Sequence, residues 1–182
     1  STPEFIIYIE FRKHNGNIEY RVFYSEYNWW HKMRSLAFDL GKFAVVVENP
    51  SSMEEIADFL RLCWIFKLEL FFVVKNKPSF DVLLNRIKRD EKGIPYEFLK
   101  VNIVDDFPRG CLLVGFSKHS CEAEDKFIGF LSEHKDKKIA LVFGDDKFGL
   151  TQGARDKLDC TFRLTSEIKK PLKGDEALSY VL

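Results

Sequence analysis

The chain has 182 residues, 46% of them hydrophobic and 15% aromatic, which is enough for a packed core and argues against general disorder. Its 28 basic and 28 acidic side chains cancel to a formal net charge of zero, which argues against an indiscriminate nucleic-acid binder. No apolar run approaches the roughly 20 residues that span a bilayer, so no membrane partner is expected.

The first predicted element is a β-hairpin over residues 5–24. Two segments rich in β-branched and aromatic residues, FIIYIEF and IEYRVFY, flank Asn15-Gly16, and Asn-Gly is the strongest short signal for a hairpin turn. A two-stranded unit is too small to be stable alone. We therefore predict an N-terminal hairpin extension over residues 1–27, followed by a main domain over residues 28–182.

From residue 28 onward, helices alternate with apolar strands. The predicted helices cover residues 28–40, 51–66, 78–89, 122–134 and 151–157, with a last helix from about residue 172. The predicted strands are FAVVVEN, LELFFVV, part of YEFLKVNIV, GCLLVGFS, KIALVF and CTFRL. This alternation indicates an α/β fold with a mainly parallel sheet flanked by helices.

Two of these predicted strands end in loops that contain glycine, Gly115–Ser117 and Gly144–Gly149. Ligands of parallel α/β sheets bind beyond the carboxyl ends of the strands. Glycine also lets a backbone approach a ligand closely. We therefore expect the two loops to border one shared pocket.

The second loop also carries two adjacent carboxylates, Asp145 and Asp146. Their oxygens suit Mg²⁺, although no third carboxylate motif accompanies them. They would repel a phosphate, and the G-x-x-x-x-G-K-[ST] pattern is absent, which argues against a phosphate loop. A cofactor loop and a plain turn with solvated aspartates remain open. The four cysteines are far apart, so no zinc site is expected and a reducing, cytoplasmic location is the default.

The C-terminal sequence, LVFGDDKFGL followed by FRL and KKPL, resembles the C-terminal half of the SPOUT methyltransferases, close to the SpoU branch. That family places Phe-Gly-x-Glu-x-x-Gly-Leu after a strand, then a short helix, an Asp, a strand, a proline-containing loop and a final helix. The matching positions here are Phe143-Gly144, Asp146 in the place of the Glu, Gly149-Leu150, Asp159 and Pro171-Leu172.

Two upstream segments extend the resemblance to residues 43–182. VVVENPSSMEEIADFLRLCWIF is similar to the first SpoU motif, with Arg61 at the position of its arginine. LLVGFS is similar to the middle motif, with Gly115 at the strand end. The resemblance implies an α/β domain with a C-terminal trefoil knot (SPOUT), and a homodimer with sites near its interface.

The implied function is that of an S-adenosylmethionine-dependent RNA methyltransferase acting on tRNA or rRNA. Arg61 and Asp146 would be the catalytic residues. The residues that would bind the S-adenosylmethionine are Gly115, Phe116, Phe143, Gly144, Gly149, Leu164, Thr165, Pro171 and Leu172.

Three departures from the family pattern favour an alternative. Glu55-Ile56-Ala57 stands where the first motif has Asn-x-Gly, Asp146 replaces the Glu, and the Ser-Leu-Asn of the third motif is absent. An enzyme that activates a ribose hydroxyl needs a base within hydrogen-bond reach. The alternative is a catalytically inactive knotted RNA- or protein-binding module.

The basic side chains of Lys169, Lys170 and Lys173 flank the proposed pocket and are candidates to contact RNA. Because the chain as a whole is neutral, we expect specificity for RNA to come from a second domain, a dimer groove or an additional RNA-binding partner.

Overall fold

The computed structural model describes residues 5–14, 17–26, 40–90, 99–165 and 172–182. The chain divides into two compact units, Ser1–Asp39 and Leu40–Leu182. The predicted boundary after residue 27 lies outside the described residues, as do residues 28–39 of the first predicted helix, so both stay predictions.

The first unit contains the predicted β-hairpin. Strand β1, Phe5–His14, pairs antiparallel with β2, Asn17–Glu26, in a register that runs from Phe5 opposite Glu26 to His14 opposite Asn17. This register leaves a two-residue connection at positions 15–16, as the Asn-Gly pair predicts.

The second unit is a layered α/β domain. Its strands are β3 (Phe43–Glu48), β4 (Glu69–Val73), β5 (Val101–Val104), β6 (Leu112–Phe116), β7 (Ile139–Gly144) and β8 (Cys160–Phe162). Its helices are α1 (Met53–Phe66), α2 (Lys77–Asp90), α3 (Glu124–Glu133), α4 (Gln152–Arg155) and α5 (Gly174–Val181), with a 3-10 turn at Leu40–Lys42. The strand order is β5-β4-β3-β7-β6-β8, and every pairing is parallel. The predicted parallel sheet flanked by helices is therefore confirmed.

The central strands β3 and β7 are apolar and almost entirely buried, as expected for strands covered on both faces. Alternate residues of β3 point to opposite faces, with Val45 and Val47 in the larger core cluster and Val46 in the smaller one. In the described ranges, no helix has both the length and the apolarity that crossing a bilayer demands.

Helix α1 packs on the larger cluster and begins where the sequence predicts. The Ser52 hydroxyl accepts a hydrogen bond from the Glu55 amide at 3.0 Å, which caps the helix. The helix ends at Lys67, which adopts a left-handed conformation with φ of 56°. Between these ends, α1 buries Ile56, Phe59, Leu60 and Cys63.

Candidate functional site

A cavity of about 230 Å³ lies at the carboxyl ends of the adjacent strands β6 and β7. Residues 116–119 form one wall, residues 143–150 a second wall and residues 172–174 a third. Arg155, Leu164 and Ala177 complete the lining. The two glycine-containing loops thus meet at one cavity, at the edge where parallel sheets bind ligands.

Two stacked aromatic rings stand at the strand ends. The ring centroids of Phe116 and Phe143 are 5.3 Å apart with an interplanar angle of 22°. Phe143 also contacts Phe59 of α1, with centroids 5.5 Å apart, and Phe116 contacts Phe127 of α3 at 5.4 Å. Because both rings are held from behind by the core, they give the cavity a rigid apolar wall.

The loop after β7 is a tight turn built on Asp145. Its Oδ1 accepts hydrogen bonds from the amides of Lys147 at 2.9 Å and Phe148 at 3.0 Å. Burial alone would raise the pKa of Asp145, but the Ser51 hydroxyl and these amides outweigh burial and lower that pKa below its usual value. The Asp145 carboxylate is therefore charged near neutral pH and holds the loop in shape.

The two glycines of this loop are needed for different reasons. A Cβ atom on Gly144 would lie 2.2 Å from the backbone C of Gly149 and the N of Leu150, so no side chain fits there. Gly149 has φ of 68°, a left-handed conformation that glycine adopts without strain. The close passage of one loop backbone over another thus depends on Gly144, and the turn that produces it depends on Gly149.

A buried carboxyl group on α1 supports the same loop. Glu55 is 2% exposed; its Oε1 accepts a hydrogen bond from the Asp146 amide and its Oε2 one from the Ser51 amide, both at 3.2 Å. Burial raises the pKa of Glu55 to about 7, and the Asp146 carboxylate adds to the rise. Glu55 is therefore an acid that changes charge near neutral pH next to the cavity loop.

The side chain of Asp146 joins the loop to the last helix. Its Oδ1 accepts a hydrogen bond from the amide of Gly174, the first residue of α5, at 3.0 Å. A carboxylate at this end of a helix is also favoured by the helix dipole. Asp146 lines the cavity and is exposed, so the rest of its carboxylate faces solvent at the mouth.

A second buried carboxylate fixes the far end of the loop. Glu48, at the end of β3, accepts hydrogen bonds from the Thr151 amide at 2.9 Å and the Thr151 hydroxyl at 2.6 Å. The Thr151 hydroxyl in turn accepts one from the Ala154 amide and caps α4. Glu48 and Glu55 therefore anchor the two ends of one cavity wall.

The cavity lining also contains a cation, Arg155, with one donor that is unpaired among the described residues. The Nε of Arg155 is buried and has no hydrogen-bond partner within the part of the chain that the structure describes. An unpaired buried donor is costly, and a guanidinium binds carboxylates and phosphates well. The lining therefore fits a ligand that combines a flat apolar part with an anionic group.

The described residues do not support the magnesium interpretation of the loop. Asp145 binds the amides of its own turn while Asp146 binds the start of α5. Across the described ranges, no group of three or more His, Cys, Asp or Glu side chains lies together as metal ligands would.

The structure brings most of the predicted site residues to the cavity. Seven of them line it: Phe116, Phe143, Gly144, Asp146, Gly149, Leu164 and Leu172. Pro171 lies outside the described residues.

Three predicted residues lie elsewhere. A Cβ on Gly115 would lie 2.3 Å from Cδ1 of Leu158, so this glycine makes room for packing behind the cavity. The Thr165 amide donates a hydrogen bond to Oε2 of Glu124 at 2.8 Å. Arg61 is exposed on α1 and does not line the cavity.

Sequence reasoning missed Arg155 as a lining residue and Glu55 as a support. Glu55 could have been found from helix periodicity, because it lies four residues before Phe59 and eight before Cys63, on the face that α1 buries. Nothing in the local sequence marks the burial of the Arg155 Nε, which depends on how α4 packs.

No protein-family model and no curated protein matches the sequence, but solved structures do. A probable methylase family protein from Haemophilus influenzae Rd KW20 is 20% identical, with a TM-score of 0.54 over 78% of this chain and 64% of that chain. A protein studied for the 2-OH methylation of C/U34 on tRNA is 15% identical, with a TM-score of 0.52 over 76% of this chain and 92% of that chain.

The SpoU methyltransferase AviRb from Streptomyces viridochromogenes, in complex with the cofactor AdoMet, is 15% identical, with a TM-score of 0.57 over 76% of this chain and 56% of that chain. At such identities the comparisons establish a shared fold, so the resemblance to SpoU-type proteins is confirmed at the level of the fold. The chain spans less than two thirds of the length of the Haemophilus and AviRb chains.

Proposed function

We propose that this protein is an S-adenosylmethionine-dependent RNA methyltransferase that acts on tRNA or rRNA. The observation that carries the proposal is the cavity between the two glycine-containing loops, in a fold shared with a SpoU methyltransferase that binds AdoMet. A protein that shares the fold was studied for methylation of a tRNA nucleotide, which supports RNA as the substrate.

The lining fits S-adenosylmethionine by its chemistry. The side chains of Phe116, Phe143, Leu164 and Leu172 provide apolar surface for an adenosine group, and Gly144 permits the close backbone approach that shapes this wall. The Arg155 guanidinium lines the cavity and can pair with the carboxylate of the cofactor. When bound, the cofactor supplies a sulfonium methyl group, and alignment of this group with the acceptor provides most of the rate enhancement.

We propose that Asp146 is the base that takes the proton from the acceptor atom. Its carboxylate lies at the mouth of the cavity, and Glu55 and Gly174 fix its backbone and side chain. A carboxylate in this position can accept the proton that the acceptor atom loses as the methyl group arrives. Arg61, exposed on α1, is proposed to contact the acceptor RNA beyond the cavity.

The wider assembly is also part of the proposal. The resemblance to SPOUT proteins supports a C-terminal trefoil knot and a homodimer. The formal net charge of zero supports an additional RNA-binding partner, since RNA affinity needs a concentration of positive charge. Four free cysteines fit a cytoplasmic location.

Two measurements test the proposal. Calorimetry with S-adenosylmethionine and with its demethylated product should show binding to the folded protein. An assay of radioactive methyl transfer should show incorporation into total RNA from a strain lacking the gene. Arg61→Ala should abolish this incorporation. Arg86 is an exposed arginine on α2, and the control variant Arg86→Ala should leave the incorporation unchanged. A folded, dimeric sample that binds neither compound would exclude the proposed function.

A second candidate is a catalytically inactive knotted RNA- or protein-binding module. It is favoured by the hydrogen bond from the Gly174 amide to the Asp146 carboxylate, because a purely loop-shaping role already accounts for that side chain. This candidate predicts that the cofactor binds without any methyl incorporation. Incorporation that depends on Arg61 would exclude it.

A further inference from the structure

An exposed aromatic ring stands at the rim of the cavity. Phe148 is 84% exposed, the highest value among the large hydrophobic residues that the structure describes, and it is a lining residue of the cavity. Single exposed hydrophobic residues are common on protein surfaces. Its place at the rim of the cavity distinguishes Phe148 from such residues.

The backbone that carries Phe148 is fixed on both sides. Its amide donates to Oδ1 of Asp145 at 3.0 Å, and the Gly149 amide donates to the Asp145 carbonyl oxygen at 2.7 Å. The Glu55 carboxyl holds the preceding Asp146 amide. A rigid turn therefore presents the ring to solvent, which lowers the entropic cost of binding a partner there.

Three lysines line the same cavity as this ring. The side chains of Lys118, Lys147 and Lys173 are exposed, line the cavity from three different segments, and form no ion pair with the described part of the chain. Of the acidic side chains in the lining, Asp145 is buried and Asp146 is exposed. The rim therefore has an excess of positive charge that suits a polyanion.

We propose that this rim binds one unpaired nucleotide of single-stranded RNA, with its base stacked on Phe148 and its flanking phosphates on Lys118, Lys147 and Lys173. A protein aromatic ring reaches the face of a base only where that base is unstacked, which excludes an intact duplex. This inference rests on the proposed function, which identifies RNA as the substrate. It adds that the bound nucleotide of this RNA is unpaired.

The test uses fluorescence polarisation of the full chain, without cofactor, with a labelled single-stranded oligoribonucleotide of mixed sequence. The same strand annealed to its complement serves as the duplex. The single strand should bind more tightly, and Phe148→Ala should weaken its binding about tenfold or more. Phe148→Trp should retain affinity, because stacking needs an aromatic face.

Matched variants separate stacking from general effects. Val82→Ala, at a site 72% exposed on α2, should leave the affinity unchanged. Each substitution of a rim lysine by glutamine should reduce the slope of log affinity against log salt by about 0.7. Equal affinities of the wild type and Phe148→Ala, or a preference of the wild type for the duplex, would overturn the proposal. Equally tight, Phe148-dependent binding of polyglutamate would also overturn it.

The outcome is separable from that of the proposed function. Phe148-dependent RNA binding by a protein without affinity for S-adenosylmethionine would support this surface and defeat the methyltransferase. Methyl transfer that proceeds normally in Phe148→Ala would support the enzyme and overturn the stacking surface.

Discussion

The Glu55 carboxyl group accepts a hydrogen bond from the backbone amide of Asp146 at 3.2 Å, across 91 positions of sequence. One end of α1 is thereby tied to the loop that forms a cavity wall. Glu55 is 2% exposed and stands where the SpoU pattern has asparagine, a side chain that cannot titrate. In this protein the loop is therefore supported by a group whose charge depends on pH.

Stability should fall as pH rises because of Glu55. Its folded-state pKa of about 7 lies above the ordinary glutamic acid value of 4.5, so the folded protein retains this proton over the window between these values. Glu55 therefore contributes most stability below pH 4.5 and loses up to about 3 kcal/mol of it by pH 7. Chemical denaturation at several pH values measures this slope.

Glu55→Gln should remove the slope between pH 5 and 7. Glutamine stays neutral, but its single carbonyl oxygen can accept only one of the two hydrogen bonds from backbone amides. Its NH2 group would face the other backbone N–H, and the lost hydrogen bond costs about 1 kcal/mol. The variant should be more stable than the wild type at pH 8 and no more stable at pH 5. The exposed neighbour Glu54 supplies the control, since Glu54→Gln should retain the wild-type slope.

The sequence predicted those features that depend on local pattern. Apolar runs such as Ile139–Gly144 form the buried strands, and the loop that contains Gly144 and Gly149 borders the cavity, as its glycines predict. These features follow from side-chain burial and backbone sterics, both of which act over a few residues.

The sequence could not predict those features that depend on packing between distant segments. Helix periodicity places Glu55 on the buried face of α1, but it does not reveal the partner of Glu55, the Asp146 amide in the loop after β7. Gly115 looked like a cavity residue because it ends a strand, but Leu158 occupies the space beside it. Helix α4, with only four residues, gives no pattern that reveals the buried Nε of Arg155.

Gly144→Ala should disrupt the cavity wall. The new Cβ would lie 2.2 Å from backbone atoms of Gly149 and Leu150, and backbone cannot move aside as a side-chain tip can. We expect a loss of about 2 kcal/mol or more in the free energy of unfolding, together with loss of cofactor affinity. Thermal unfolding and calorimetry measure the two effects.

Gly153→Ala is the matched control. Gly153 lies in α4, and a Cβ there would meet nothing within 4 Å. Alanine favours a helix over glycine by up to about 1 kcal/mol, so this variant should be as stable as the wild type or more so. Similar destabilisation by the two substitutions would contradict the close backbone approach at Gly144.

Arg155→Met should weaken cofactor binding more than it weakens the fold. The substitution removes a buried donor that has no partner among the described residues, so the free protein should lose little stability or gain some. The bound state would lose a charge-assisted hydrogen bond, which should reduce affinity for S-adenosylmethionine about tenfold. Calorimetry tests this; Lys157→Met, at an exposed cation two residues away, should leave affinity unchanged.

Two substitutions of Asp146 distinguish catalysis from shaping of the loop. Asp146→Asn keeps an oxygen that can accept the Gly174 amide hydrogen bond but removes the charge that would accept a proton. If Asp146 is the base, this variant should bind S-adenosylmethionine normally and lose about 100-fold or more in methyl transfer rate. Asp146→Ala should lose the rate and also about 1 kcal/mol of stability, because α5 loses its tether. A full methyl transfer rate in Asp146→Asn would show that the carboxylate only shapes the loop.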